Sequence, residues 1–235
     1  MTGVQTCALP ILGSIVNAAT VIVGSLIGLL VRSKLPENIK TIIFQGVGLG
    51  TLVLGMTMAL EVQNFLVFIF SLILGGILGE LARLDTRMEA SGDWLKAKIR
   101  SSNERFTEGL ITAFLIFCVG SMTFVGALNE GLTGDRTLIL TKSILDGFTS
   151  IVLASVYGIG VMFSAIPLFI VQAGLTLLAT QLQGVLSDLL IAQLTAVGGA
   201  LVLGIGLNLL EIKKIKTSNL LPGLLVVIVL TLLVG

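Results

Sequence analysis

Residues 12–31 read LGSIVNAATVIVGSLIGLLV: twenty positions without one charged side chain. At about 1.5 Å of rise per residue, a helix of this length is ~30 Å long, the thickness of a bilayer's hydrocarbon core. Seven more apolar runs follow, at about 41–60, 64–82, 108–128, 137–157, 159–181, 189–210 and 219–234. The composition agrees with them. Of 235 residues, 55% are hydrophobic and only 11% are charged, and the mean hydropathy is +1.08. A soluble domain is nearer 25% charged and could not bury so much apolar surface. The expected fold is an all-α membrane protein of about eight transmembrane helices, a single polytopic domain over 12–235.

The same numbers exclude several function classes. The net charge is +1 and no basic stripe meets an aromatic platform, so no nucleic acid is expected. There is no His, which removes the commonest general base and most zinc and haem ligation. Little is left for intramembrane catalysis, so the expectation is no enzyme, with no catalytic residue, metal or cofactor. No Walker motif is present, so any active transport runs on an ion gradient or through a partner.

Residues 1–11, MTGVQTCALPI, stand apart from the rest. They lack the cationic start of a signal peptide. They resemble the in-frame translation of a sequencing adapter, with a GTG start read as Met1. The expectation is a scar fused near Leu12; the alternative is a genuine short extracytoplasmic tail. Without that segment Cys118 is the only cysteine, and no intramolecular disulfide can form.

Orientation follows from the basic residues. With the native N-terminus outside, the inner loops hold Arg32, Lys34, Lys40, Arg83, Arg87, Lys96, Lys98, Arg100, Arg105, Lys213, Lys214 and Lys216, twelve of the fourteen Lys and Arg. Arg136 falls in an outer loop and Lys142 within the fifth run. Both ends are then extracytoplasmic, in a bacterial inner membrane. The longest polar gap, 83–107, spaces Leu84, Met88, Leu95 and Ile99 close to helically beside Trp94, with basic residues between. It reads as an amphipathic helix on the inner membrane surface, interrupted near Gly92; a solvated helical linker is the alternative.

A weak internal similarity joins Val23-Gly24-Ser25 to Val119-Gly120-Ser121, and Phe44-Gln45-Gly46 to Leu145-Asp146-Gly147. A repeat of three helices would place its second copy in the opposite orientation, a common plan for secondary transporters. The last two runs are then additions, and Val197-Gly198-Gly199 hints at a partial third copy. Glycines four apart, Gly24/Gly28, Gly46/Gly50 and Gly75/Gly79, mark flat stripes for close helix packing, as do Ala154/Gly158 and Ala200/Gly204.

Intramembrane polar residues carry the functional signal. Asp146 lies near the middle of the fifth run, where a charge costs about 2.5–3.5 kcal/mol on insertion scales. Lys142 is one turn away on the same face. Two readings stand: a self-neutralising structural pair, or a cation or proton site in which Asp146 is the anionic ligand and Lys142 a tethered competitor. Asn17, Gln45, Gln172 and Asn208 are amides within apolar runs, able to ligate a hard cation or to join helices. Pro167 breaks the sixth run, freeing a carbonyl that either meets a cation or is satisfied by a neighbour such as Ser164. Glu61, Glu130, Asp135 and Glu211 read as loop or boundary charges.

Longer blocks resemble a known family. They are LGSIVNAATVIVGSLIGLLV, GELARLDTRME, FTEGLITAFLIFCVGSMTFVGALNEGLTGD, KSILDGFTSIVLASVYGIGVMFSAIP and LLPGLLVVIVL. Together they resemble the YdfK/YqgA-type bacterial multipass membrane family, a domain of unknown function, over almost the whole chain from Leu12. The resemblance implies an integral membrane protein described as a sodium channel or pump and associated with biofilm formation. It supplies no site residues. The function expected is a small transporter or channel for a monovalent cation, Na⁺ or H⁺. The alternative is a non-transporting scaffold or regulator of envelope or biofilm functions. The expected partners are the lipid bilayer, that cation and a further copy of the chain.

Overall fold

The first apolar run is one helix, α1 (Leu12–Arg32), in a computed structural model that describes residues 11–32, 36–98, 105–182 and 187–234. The proposed scar, but for Ile11, lies outside the described residues, as do Ile99 and Arg100. The chain continues through α2 (Glu37–Ala59), α3 (Phe65–Leu81), α4 (Leu84–Lys98), α5 (Phe106–Cys118), α6 (Ser121–Thr133) and α7 (Thr137–Tyr157). It ends with α8 (Gly160–Phe163), α9 (Ala165–Leu177), α10 (Ala179–Leu182), α11 (Asp188–Leu209), α12 (Thr217–Leu220) and α13 (Gly223–Val234). Every regular element among the described residues is helical, so this is an all-α multipass membrane fold.

Six stretches are long and apolar enough to cross a bilayer: α1, 41–59 of α2, α7, α8–α9, α11 and α12–α13. A seventh span is counted if α5 and α6, bent by 59° at their junction, cross together. The remaining run is α3, only 17 residues long. Its two ends nonetheless reach both ends of its neighbours. The Gln193 side chain of α11 pairs with the backbone of Gln63 and Asn64 just before α3. Glu80 at its far end accepts from Lys216 at 2.9 Å and from Asn219 at 2.6 Å.

These contacts define two ends of the bundle. At one, Arg32 donates to Val156 O at 2.6 Å, Glu80 binds Lys216, and Asp85 N donates to Asn219. The bond it donates to Glu80 holds the Lys216 ammonium above its ordinary pKa. At the other end, Glu130 joins the start of α1 to Arg136. Asp135 there accepts from the N–H and hydroxyl of Thr137 as α7 begins, which holds its carboxyl below the ordinary value.

The outside of the bundle is apolar as well as its core. Val23, Leu30, Leu66, Phe148 and Leu225 are exposed, while Ser14, Asn17, Ser25 and Gly28 face inward from α1. Lipid tails are as apolar as Leu, so helices associate through close packing rather than hydrophobic transfer. A Cβ on Gly24 would strike Gly147 O and Ser150 Oγ, and one on Gly28 would meet Ile151 O and Ala154. α1 and α7 therefore touch backbone to backbone. Gly75 and Gly79 do the same against Gly223 and Asn219, and Gly55 against Gly199 and Leu203. The Gly46/Gly50 pair differs: neither has anything within 4 Å, so that stripe packs against nothing among the described residues.

One expectation is corrected. α4 is unbroken through Gly92, since one mid-helix glycine costs only ~1 kcal/mol. The larger discontinuity is instead at Val119–Gly120, between α5 and α6. The two Val-Gly-Ser landmarks therefore sit in unlike local structure, one inside continuous α1 and one at that break.

Trp94 on α4 is 63% exposed and Lys98 lies over its ring at 4.9 Å from the centroid. An exposed indole beside a cation suits the headgroup layer. Lipid-borne quenchers are expected to reach Trp94 fluorescence in reconstituted protein and aqueous acrylamide to reach it poorly. Full aqueous quenching would favour the solvated linker.

Candidate functional site

The site is assembled by three helices, α1, α7 and α9. Asn17 faces inward from α1 because it lies one turn before Val21 and two before Ser25 on the buried face. Lys142 and Asp146 lie on the buried face of α7, with Ile139, Ser143 and Ser150. Gln172 faces inward from α9, and all four side chains are buried.

The Lys142 ammonium donates to Asp146 Oδ2. Asn17 Nδ2 donates to the same Oδ2 at 2.9 Å and to Gln172 Oε1 at 3.2 Å. Every contact with Asp146 lands on one oxygen. Oδ1 takes no hydrogen bond among the described residues. Asn17 Oδ1 and Gln172 Nε2 are fully buried with no hydrogen-bond partner there. A buried polar network normally satisfies each member, so unmet atoms in it call for an explanation.

Apolar side chains also border the pair. Phe117, at the end of α5, places its ring 6.0 Å from Lys142 Nζ, and Leu115 and Cys118 of the same helix are buried. The break after α5 therefore lies beside the charged pair. Thr123 restores part of it by donating its hydroxyl to Phe117 O at 3.0 Å. Broken helices within a bilayer are tolerated where the protein covers or hydrates the freed backbone groups.

Of the residues expected from sequence, Asn17, Lys142, Asp146 and Gln172 come together. The other two amides do not join them. Gln45 is exposed on α2. Asn208 is used at both ends of its amide, donating to Ile215 O at 2.8 Å and accepting from Ile215 N at 2.6 Å. It clasps the loop after α11 rather than joining the cluster. Pro167 lies in the first turn of α9, where a helix leaves its N–H groups unpaired in any case. The break it accompanies is at Ser164, whose hydroxyl donates to Val161 O at 2.6 Å. That bond goes to Val161 O and not to Phe163 O, the carbonyl four residues before Pro167, and Pro167 lies outside the cluster.

Glu130 was missed by sequence reasoning. Read as a boundary charge, it is 3% exposed, with Oε1 accepting from Gly13 N at 2.8 Å and from Arg136 Nε at 3.1 Å. Near the opposite, basic end, a cavity of about 660 Å³ is lined by Arg105, Glu108, Ile111, Thr112, Lys213 and Thr217, among others. α5 connects this cavity, at Glu108 and Thr112, to Phe117 beside Lys142.

Comparison with known proteins places this geometry in context. The chain matches the family described as "Protein of unknown function (DUF554)" over residues 12–232. It is 38% identical over 218 residues to the uncharacterized membrane protein YdfK of Bacillus subtilis (strain 168), covering 91% of this chain and 93% of that one. It is 30% identical over 220 residues to the uncharacterized protein YqgA of Escherichia coli (strain K12), covering 92% and 94%. No solved structure matches it.

Proposed function

Since the chain belongs to the DUF554 family of membrane proteins, we propose from its geometry that it is a small transporter or channel for a monovalent cation, Na⁺ or H⁺. The observation that carries this reading is the buried cluster of Asp146, Lys142, Asn17 and Gln172 with its unmet atoms. Carboxylate and amide oxygens are hard ligands suited to a small cation. Asp146 Oδ1 and Asn17 Oδ1 supply two such oxygens with no hydrogen-bond partner among the described residues. A cation arriving there displaces Lys142 from Asp146, and Lys142 returns when it leaves. The tethered ammonium keeps the carboxylate neutralised between the two events, which a charge at this depth requires. The cavity at the basic end serves as the aqueous mouth.

Orientation belongs to the same reading. The end bearing Arg32, Arg105, Lys213 and Lys216 faces the cytoplasm of a bacterial inner membrane, and both chain ends lie outside. A reporter fused after Gly235 is expected to be active only if it works outside the cytoplasm. A reporter inserted at Lys214 is expected to behave as cytoplasmic. Cytoplasmic activity at the C-terminus would reverse the assignment.

Binding tests the cation site without assuming flux. The purified protein is expected to melt at higher temperature in NaCl, or on moderate acidification, than in choline chloride of equal ionic strength. Identical melting in all three conditions would count against a cation site. One observation favours a second reading, a non-transporting scaffold or regulator: Lys142 and Asp146 already neutralise each other. That reading predicts melting indifferent to the cation.

A further inference from the structure

We propose that Glu130 is a second cation-binding carboxylate, one helical turn outward from Asn17, and that Glu130 and Asp146 act as a two-station relay. The proposal rests on the cation reading of Asp146. It adds the outer route to that site.

The geometry comes from two helices that report the same offset. On α1, Gly13 N donates to Glu130 Oε1 at 2.8 Å, and a Cβ on Gly13 would stand 2.7 Å from Glu130 Oε2. Asn17 lies four residues further along the same face, about 6 Å along the axis. On α9, Thr176 O lies against Gly131, the residue after Glu130. Gln172 is four residues back, and the Thr176 hydroxyl donates to its carbonyl at 3.0 Å. Asn17 and Gln172 are bonded to each other. Glu130 therefore sits one turn above the amide pair as measured from both helices.

Unmet polar atoms fill the interval. Glu130 Oε2, Ser14 Oγ, Asn17 Oδ1 and Gln172 Nε2 are all buried and none has a hydrogen-bond partner among the described residues. Ser14 is fully buried and shares a face with Asn17, three residues on. Glu130 Oε2 and three orphaned atoms between it and the Asp146 carboxylate are poor structural glue, because each represents a desolvated group with nothing gained. Glu130 Oε2, Ser14 Oγ and Asn17 Oδ1 are oxygens that can ligate a cation stepping from one carboxylate to the next, whereas Gln172 Nε2 is a donor and cannot. The two stations are built alike. Glu130 is tied to Arg136 through Oε1 alone, as Asp146 is tied to Lys142 through Oδ2 alone. Each carboxylate keeps one oxygen free and one basic competitor.

The test uses the full chain in proteoliposomes, with radioactive sodium under a Na⁺ gradient and a pH-sensitive dye under a pH gradient. The two arms identify which ion moves. Glu130→Gln keeps an acceptor for Gly13 N and removes the charge. It is expected to lower flux roughly tenfold or more, as loss of a charged ligand does. Arg136→Gln removes the competitor and is expected to lower the half-saturating cation concentration; a merely structural Glu130 would leave that concentration unmoved and overturn the proposal. Wild-type flux in Glu130→Gln, with flux lost in Asp146→Asn, would overturn the relay and leave the Asp146 site standing. No flux of either ion in the wild type would overturn both. If Glu130→Gln fails to fold, Ser14→Ala decides, because its hydroxyl makes no hydrogen bond among the described residues. A several-fold fall in flux at unchanged melting temperature supports the relay, and unchanged flux overturns it.

Discussion

Lys142→Met is expected to destabilise the protein by about 3–5 kcal/mol in choline chloride and to recover much of that loss when Na⁺ or H⁺ is supplied. The substitution removes the partner of a carboxylate that is only 6% exposed. An uncompensated charge there is costly, and an added cation can take the vacated place. Asp146→Asn leaves Lys142 unpaired instead and is expected to cost a similar amount that no cation restores. The double mutant, neutral at both positions, is expected to regain most of the stability, because the cost lies in the unpaired charge rather than in the missing pair. Thermal unfolding of the purified variants in the three ionic conditions measures all of this. Equal destabilisation of Lys142→Met with and without cation would reduce the pair to a structural role.

A second large effect is expected at the α1–α7 contact. Gly24→Val must place a branched side chain where Gly147 O and Ser150 Oγ already stand, and backbone cannot yield as a flexible side chain can. The expected loss is ~3 kcal/mol, at the upper end of ordinary overpacking. Separating the helices also draws Asn17 on α1 away from Asp146 on α7, so cation-dependent stabilisation should fall as well. Gly46→Ala and Gly50→Ala are the controls. They meet nothing within 4 Å, and replacing a helical glycine by Ala is expected to be neutral or stabilising by up to ~1 kcal/mol. A comparable loss at Gly46 would remove the distinction between a packed stripe and an open one.

That contrast shows where sequence stops being informative. Gly24/Gly28 and Gly46/Gly50 have the same spacing and the same apolar setting. Only the approach of α7 to one pair distinguishes them, and nothing local encodes which helix arrives. The four amides behave the same way. Asn17 and Gln172 reach Asp146, while Gln45 is exposed and Asn208 fastens a loop. The Lys142–Asp146 pair was legible because it needs only helical periodicity within one run. The apolar runs were legible because a bilayer demands a nearly fixed length of apolar residues. Glu130 was not legible, since five residues after it Asp135 is a true loop charge. What separates the two is the fold of α6 back onto the start of α1. The break at Val119–Gly120 had a visible signal, a glycine within a run, but several glycines within runs sit in unbroken helix.

The most direct test of the cation site is flux through proteoliposomes containing either the wild type or the Asp146→Asn, Lys142→Met double mutant. The double mutant is the better comparator than either single variant, because it is expected to fold with no buried charge left unpaired. With a Na⁺ gradient and then a pH gradient imposed, the account predicts flux of one of these ions through the wild type and none through the double mutant. Equal flux through both, with the same ion preference, would contradict it.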